Sequence, residues 1–425
     1  MSLVIHNTGM LVQTREENLA FTAGRDMSVL PVIEKGWLLI EDGVIAGYGP
    51  PETMPSFSNA LPRLDAGGGY VFPSFCDPHT HLVYAGSREK EYTDKIRGLS
   101  YEEIAKRGGG ILNSAKLLHE TSEEELFRQS MERVREIISF GTGAVEIKSG
   151  YGLTTEDELK MLRVIRRIRE ETPLTVRSTF LGAHAVPAEY RDNRKGYVDL
   201  IVEEMIPAVA AARLADYIDV FCDRGFFTAE ETARILEAGA RHGMRPKIHA
   251  NELDYSGGIQ AGVKHGALSV DHLEFTGDEE IAALLGSGTM PTLLPGAAFF
   301  LAMTDPPARK MIDAGLPLAL ASDYNPGSSP SGNMKLVVSL GCIRLRMLPE
   351  EAINAVTINA AYAMGLSETH GSITIGKKAN LFITRKIPSY EFLPYAYGSN
   401  LVEAVILNGD VVFDRKSAVG STSRQ

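Results

Sequence analysis

Residues 71–81 read VFPSFCDPHTH, a short apolar run that ends in Asp77, His79 and His81. His79 and His81 stand two residues apart, so on an extended chain both imidazoles fall on one side and can reach a single ion. Seven further runs share this texture: residues 143–152, 175–184, 217–223, 245–251, 267–273, 289–295 and 316–326. Helical segments separate them, which is the βα alternation of a parallel sheet. Eight such units make a TIM (β/α)8 barrel, and 425 residues hold a barrel of about 250 plus a second unit. One connecting segment shows its helix start. Thr155 and Glu158 fit a capping box, and Leu159, Leu162, Ile165 and Ile168 then recur on one face.

Outside the barrel the texture is that of short antiparallel strands. Asp42-Gly43 within GWLLIEDGVIAGYGP and Asn408-Gly409 within VEAVILNGDVVF are type I′ hairpin signals. The two chain ends are therefore expected to build one small β-sandwich-like domain, residues 1–72 together with 373–425, around a barrel of residues 73–372. An apolar fraction of 44% and a charged fraction of 23%, with no run of about 18 apolar residues, describe a soluble globular chain. The start, MSLVIHNTGM, has no basic stretch followed by an apolar run, so a cytoplasmic address is expected. Three cysteines without a CxxC pair suggest reduced, mostly buried thiols. A formal charge of -11 disfavours nucleic acid and anionic membranes as partners. The subunit count is not fixed by the sequence; a homodimer is the expectation.

Function is read from the strand ends, because the C-terminal rim of such a barrel carries its active site. Besides His79 and His81, the third run ends in His184, the fifth in His249, the sixth in His272 and the eighth in Asp323. Imidazoles with a carboxylate suit zinc or ferrous iron, and three His plus one Asp leave room for a water. The other five histidines, His6, His119, His242, His265 and His370, lie in helix or loop contexts and are expected at the surface. Gly108-Gly109-Gly110 lacks the GK[ST] ending of a phosphate cradle and reads as a flexible loop. Lys148 reads as a structural or solvated lysine rather than a carboxylated bridge between two ions. Cys222 reads as a buried thiol. Glu252, three residues past His249, is a candidate general acid or base. No GxSxG elbow is present, so a serine hydrolase is unsupported.

The set DPHTHLVYAGSRE, EIKSGYGL, TFLGAHAVP, KIHANEL, VDHLE and ASDYNPGSSPSGN resembles the imidazolonepropionase family of the amidohydrolase superfamily, over essentially the whole chain. The resemblance implies hydrolysis of the cyclic amide of 4-imidazolone-5-propanoate to N-formimino-L-glutamate in histidine degradation. It also implies one zinc or iron ion per chain, held by His79, His81, His249 and Asp323. By the same resemblance Arg88, Tyr101, Tyr151 and His184 hold the substrate, Asn325, Gly327 and Ser328 line the pocket, and Glu252 contacts the ring.

The chemistry agrees. A cyclic amide resists water because resonance stabilises its carbonyl; a bound metal polarises that carbonyl and lowers the pKa of water from 15.7 toward about 7. Asp323 is expected to carry the water's proton to the leaving nitrogen, with His272 hydrogen-bonding the water or the oxyanion and Glu252 shuttling a proton. Arg88 offers the bidentate fork that carboxylates prefer. The rival readings are another cyclic amidase or a deaminase, a binuclear hydrolase, and a non-enzymatic scaffold. The first would not need Arg88, the second needs a bridging lysine, and the third would have lost ligands.

Overall fold

The computed structural model describes residues 2–99 and 109–417. Seven short strands come first: β1 (Ser2–His6), β2 (Met10–Val12), β3 (Val32–Glu34), β4 (Trp37–Glu41), β5 (Val44–Gly49), β6 (Arg63–Asp65) and β7 (Tyr70–Pro73). Nine follow in the middle of the chain: β8 (Phe75–Thr80), β9 (Thr142–Lys148), β10 (Thr175–Ala183), β11 (Tyr217–Cys222), β12 (Arg245–Pro246), β13 (Ile248–Ala250), β14 (Ser269–His272), β15 (Met290–Leu293) and β16 (Ala319–Leu320). The last three are β17 (Leu381–Thr384), β18 (Val402–Leu407) and β19 (Asp410–Asp414).

The middle group is a parallel barrel in the order β8-β9-β10-β11-β13-β14-β15-β16, with β12 pairing β11 just ahead of β13. Each of the eight apolar runs supplies one staff of the barrel, and the fifth staff is the interrupted pair β12 and β13. The ring closes where the chain after β16 meets β8. There Thr80 bridges Tyr324, the Asp323 N–H donates to the His79 carbonyl at 3.1 Å, and the His81 N–H donates to the Tyr324 carbonyl at 3.0 Å. Helices cover the outside. The helix Ala229–Arg241 starts on a full capping box, Thr228 with Glu231, and buries Ile235, Leu236 and Gly239. A Cβ on Gly239 would stand 2.6 Å from Ile218 Cγ2, so this glycine lets the helix lie directly on β11.

The chain ends form two sheets, β5-β4-β1-β6 and β19-β18-β17-β7-β2-β3. Ile5, Leu38 and Ile40 from the first pack against Leu11, Val71, Leu381 and Ile406 from the second, giving a sandwich with its own apolar core. Both expected hairpins are present, with φ 49° and 80° at Asp42 and Gly43, and 51° and 86° at Asn408 and Gly409.

Three details differ from the sequence reading. The first run, 71–81, is divided: Tyr70–Pro73 pairs in the terminal sheet and Phe75–Thr80 in the barrel. The helix Thr155–Glu171 is capped by Thr154, whose side chain accepts from the Asp157 N–H, one residue earlier than the Thr155–Glu158 box. Glu158 instead turns back and accepts from the N–H groups of Gly150, Gly152 and Leu153. His370, expected at the surface, is buried between Thr369, Thr175 and Asn380, and His6 lies on β1. Among the described residues no helix is long and apolar enough to cross a membrane.

Candidate metal centre and substrate pocket

The C-terminal ends of β8, β13 and β14 and the turn after β16 bring His79, His81, His249, His272 and Asp323 together, each at most 3% exposed. Asp323 Oδ1 lies 3.6 Å from His79 Nε2 and 3.7 Å from His81 Nε2, and His81 Nε2 lies 3.4 Å from His249 Nε2. Those three separations are close to the edge of about 3.4 Å that ligand bonds of about 2.1 Å give in a tetrahedral site. His79, His81 and His249 form one group able to hold an ion, and His79, His272 and Asp323 an overlapping one. Among the described residues His79 Nε2 is buried with no hydrogen-bond partner, and a coordinated ion would take its lone pair. Burial first, then neighbouring positive charge, holds His79 and His81 far below the usual imidazole range, so both are neutral, as ligands must be.

The backbone helps to aim these groups. His272 (φ 88°), Leu273 (φ 72°), Asn251 (φ 56°) and Asp323 (φ 53°) all leave their strands in the left-handed region, strain of a kind that gathers at functional sites.

Behind the cluster lies a buried charge network. His79 Nδ1 sits 2.6 Å from Asp271 Oδ2, which fixes the proton on Nδ1 and leaves the Nε2 lone pair facing the cluster. His249 Nδ1 lies 3.0 Å from Asp219 Oδ2, off-line for a hydrogen bond, while its backbone N–H donates to Asp219 Oδ1 at 3.1 Å. Lys148 donates to Asp219 at 2.8 Å and to Glu146 at 2.6 Å and stands 3.8 Å from Asp271. Lys247 pairs with the other Glu146 oxygen and donates to the Pro78 carbonyl. Burial alone would lower the Lys148 pKa; Asp219, Glu146 and Asp271 outweigh it and hold the amine charged. Lys148 is thus structural, not solvated.

In front of the cluster a cavity of about 390 Å³ opens, lined on the polar side by His81, Arg88, Tyr151, His184, Glu252, His272, Asp323, Asn325, Gly327 and Ser328. Phe221, Phe226, Leu253, Ile111 and Leu301 give it an apolar wall. His184 donates from Nδ1 to the Gly150 carbonyl at 3.0 Å, stacks on His81, and is held by burial at about 3, hence neutral. Glu252 is buried; burial, Asp323 and Asp223 push its pKa up to about 8. Its backbone N–H is fixed by Asp223 at 2.8 Å, and Oε2 lies 3.8 Å from His272 Nε2. Asn325 organises the rim turn, accepting from the Gly327 and Ser328 N–H groups, while Ser328 Oγ donates to Asp323 Oδ2 at 3.0 Å. Burial also raises Asp323, to about 6.

Every candidate site residue within the described chain therefore meets at one pocket; Tyr101 and Gly108 lie outside the described residues. Arg88 differs from expectation in one respect. Its Nε and Nη2 are already engaged by Glu91, so the fork expected for a carboxylate is occupied. Sequence reasoning passed over Asp219, Asp271, Glu274, Glu91 and Lys95. For Asp219 and Asp271 the signal was there, a carboxylate inside an otherwise apolar strand run. Glu274 is buried, its oxygens without a hydrogen-bond partner on another residue among those described, and lies 3.9 Å from His272 Nδ1.

The amidohydrolase family model matches residues 70–412. The imidazolonepropionase of Christiangramia forsetii is 56% identical over 412 residues, 97% of this chain and all of that protein. The chain belongs to the imidazolonepropionase family of amidohydrolases. The Geobacillus thermodenitrificans imidazolonepropionase is 46% identical over 414 residues, 96% of this chain and 97% of the relative. Among solved structures, the 5-methylcytosine deaminase of Klebsiella pneumoniae superposes with a TM-score of 0.73 at 17% identity, covering 97% of both chains. At that identity the likeness shows the amidohydrolase barrel alone. Family and His-rich cluster together call for a metal cofactor in this amidohydrolase.

Proposed function

We propose that this chain hydrolyses the cyclic amide C–N bond of 4-imidazolone-5-propanoate, giving N-formimino-L-glutamate in histidine degradation. The observation that carries the reading is the 56% identity to an imidazolonepropionase across 97% of the chain. A pocket with a cationic group opposite a metal-type cluster, Arg88 facing His79, His81, His249 and Asp323, suits a small anionic ring compound.

One zinc or iron ion per chain would be held by His79, His81, His249 and Asp323. When bound, the ion supplies a Lewis acid that polarises the carbonyl and makes water a nucleophile at neutral pH. Lys148 supports a single ion, because its amine is committed to Glu146 and Asp219 and has no place in a bridge. Asp323 takes the proton of the attacking water. Burial holds its pKa above the usual carboxylate range, and the same carboxyl returns the proton to the ring nitrogen as the C–N bond breaks. His272, neutral and aimed by its left-handed backbone, hydrogen-bonds the water or the developing oxyanion. Glu252, with its pKa pushed up to about 8, carries a proton at pH 7 and can donate it to a ring nitrogen or oxygen. Tyr151 and His184 hold the ring and Arg88 meets the propionate, with Asn325, Gly327 and Ser328 lining the pocket; the family resemblance assigns Tyr101 to substrate binding as well.

The small domain of residues 1–72 and 373–425, the barrel of 73–372, a homodimeric assembly and a cytoplasmic setting complete the proposal. The test is turnover of 4-imidazolone-5-propanoate with N-formimino-L-glutamate as product, alongside elemental analysis. Activity on this substrate with one ion per chain is expected; ammonia release from an aminopyrimidine or aminopurine without it would favour the deaminase alternative.

A further inference from the structure

Glu91 lies in the first turn of the helix Glu89–Ile96, three residues after Arg88, and is 9% exposed. Its Oε2 accepts from Arg88 Nε at 2.9 Å, from Arg88 Nη2 at 2.6 Å and from the Gly110 N–H at 3.1 Å, while Oε1 accepts from Asn113 Nδ2 at 3.2 Å. Four donors from three places thus lock one carboxylate. The guanidinium it holds lies flat on Gly327: a Cβ there would stand 2.1 Å from Nη1 and 2.7 Å from Cζ. Arg88 is therefore clamped between a carboxylate edge and bare backbone, and both Gly327 and Arg88 line the pocket.

We propose that Glu91 is a positioning residue for substrate recognition: it takes the Nε–Nη2 edge of Arg88 and so presents the Nη1 edge to the substrate's carboxylate. The proposal deepens the reading given above, since it rests on Arg88 meeting the propionate. An arginine left alone samples many rotamers, and every substrate molecule would have to order it; one held by Glu91 and Gly327 is ordered in advance. Glu91 also balances the charge of Arg88, so recognition depends on where the free N–H groups point more than on net charge. Lys95, one turn further along the same helix and also at the pocket, leaves that end of the cavity cationic.

Because removing Glu91 would change charge and placement together, the decisive variant keeps the charge. Glu91→Asp shortens the side chain by about 1.5 Å and should draw the guanidinium away from the pocket. The expected result is a KM for 4-imidazolone-5-propanoate raised about tenfold with kcat within about twofold. In an Arg88→Ala background the same change should leave KM where Arg88→Ala alone put it, since Glu91 then has nothing to aim. Glu91→Gln keeps the length and should raise KM less than Glu91→Asp, and it serves in its place if the shorter residue impairs folding. An unchanged KM in Glu91→Asp, an equal rise in the Arg88→Ala background, or a larger rise for Glu91→Gln would each overturn the positioning role. A wild-type KM in Arg88→Ala itself would overturn the anchoring reading, and this proposal with it; a raised KM there beside a silent Glu91→Asp overturns only the latter.

Discussion

Replacing Asp323 by Asn separates what this carboxylate costs the fold from what it gives the chemistry. Without an ion, burial raises the Asp323 pKa from the ordinary 3.8 to about 6. A folded-state pKa above the unfolded value means that the fold favours the protonated form. The penalty is absent below about pH 4, grows through the interval, and is complete above about pH 6, where it reaches about 3 kcal/mol. An amide carries no such penalty and still accepts from Ser328 Oγ, which donates to the carboxylate at 3.0 Å. Metal-stripped Asp323→Asn should therefore be more stable than metal-stripped wild type at pH 7.5, and the gap should shrink to about 1 kcal/mol at pH 4.5. Adding zinc should reverse the order, because the carboxylate binds the ion better than the amide and binding stabilises only the folded state. The assay is thermal or chemical unfolding of both proteins at the two pH values, with chelator and with zinc. The zinc-loaded variant should also lose at least about 100-fold in kcat, the usual value of a positioned proton carrier. A stripped variant no more stable than wild type at pH 7.5 would refute the burial argument, and near-normal kcat would pass the proton to Glu252 or His272.

Two further outcomes follow from groups away from the pocket. Asp271→Asn removes the acceptor 2.6 Å from His79 Nδ1 and should weaken zinc affinity about 10- to 100-fold in a chelator competition with the fold retained; unchanged affinity would remove Asp271 from the metal centre. His370 is held by burial, then by Lys378 and Lys377, at about 3, so it stays neutral in the fold while the unfolded chain takes up a proton below about 6.5. Its contribution is present above pH 6.5 and lost as pH falls toward 3, so the deficit of His370→Asn measured at pH 7 should shrink by up to about 2.7 kcal/mol at pH 4.5. A deficit independent of pH would contradict it.

The barrel was legible because fully buried parallel strands must be short apolar runs, and each of the eight runs formed its staff. The metal-type cluster was legible for a related reason: His79, His81, His249 and Asp323 occupy strand ends, where an ionisable group has few structural uses. What escaped the sequence depends on partners far apart in the chain. Lys148 is structural only because Asp219 and Glu146 face it across the barrel, and nothing near residue 148 tells a solvated amine from a buried one. His370 reads as a loop histidine until the terminal sheet covers it. The cap at Thr154 rather than Thr155 turned on backbone angles, since either threonine satisfies the spacing. Glu91 was hidden because an acidic residue in a first helical turn needs no explanation beyond the helix dipole.

The seam that closes the barrel has a consequence for how the protein is made. His79 and His81 stand on its first staff, and Asp323 follows its last, with the His79 carbonyl accepting from the Asp323 N–H across the join. A chain emerging from the ribosome therefore carries two candidate ligands early, gains His249 late, and cannot assemble all four until its eighth staff is released and docks. An ion held there would staple the earliest-made edge of the barrel sheet to the latest, so binding by all four ligands and completion of the ring would favour one another.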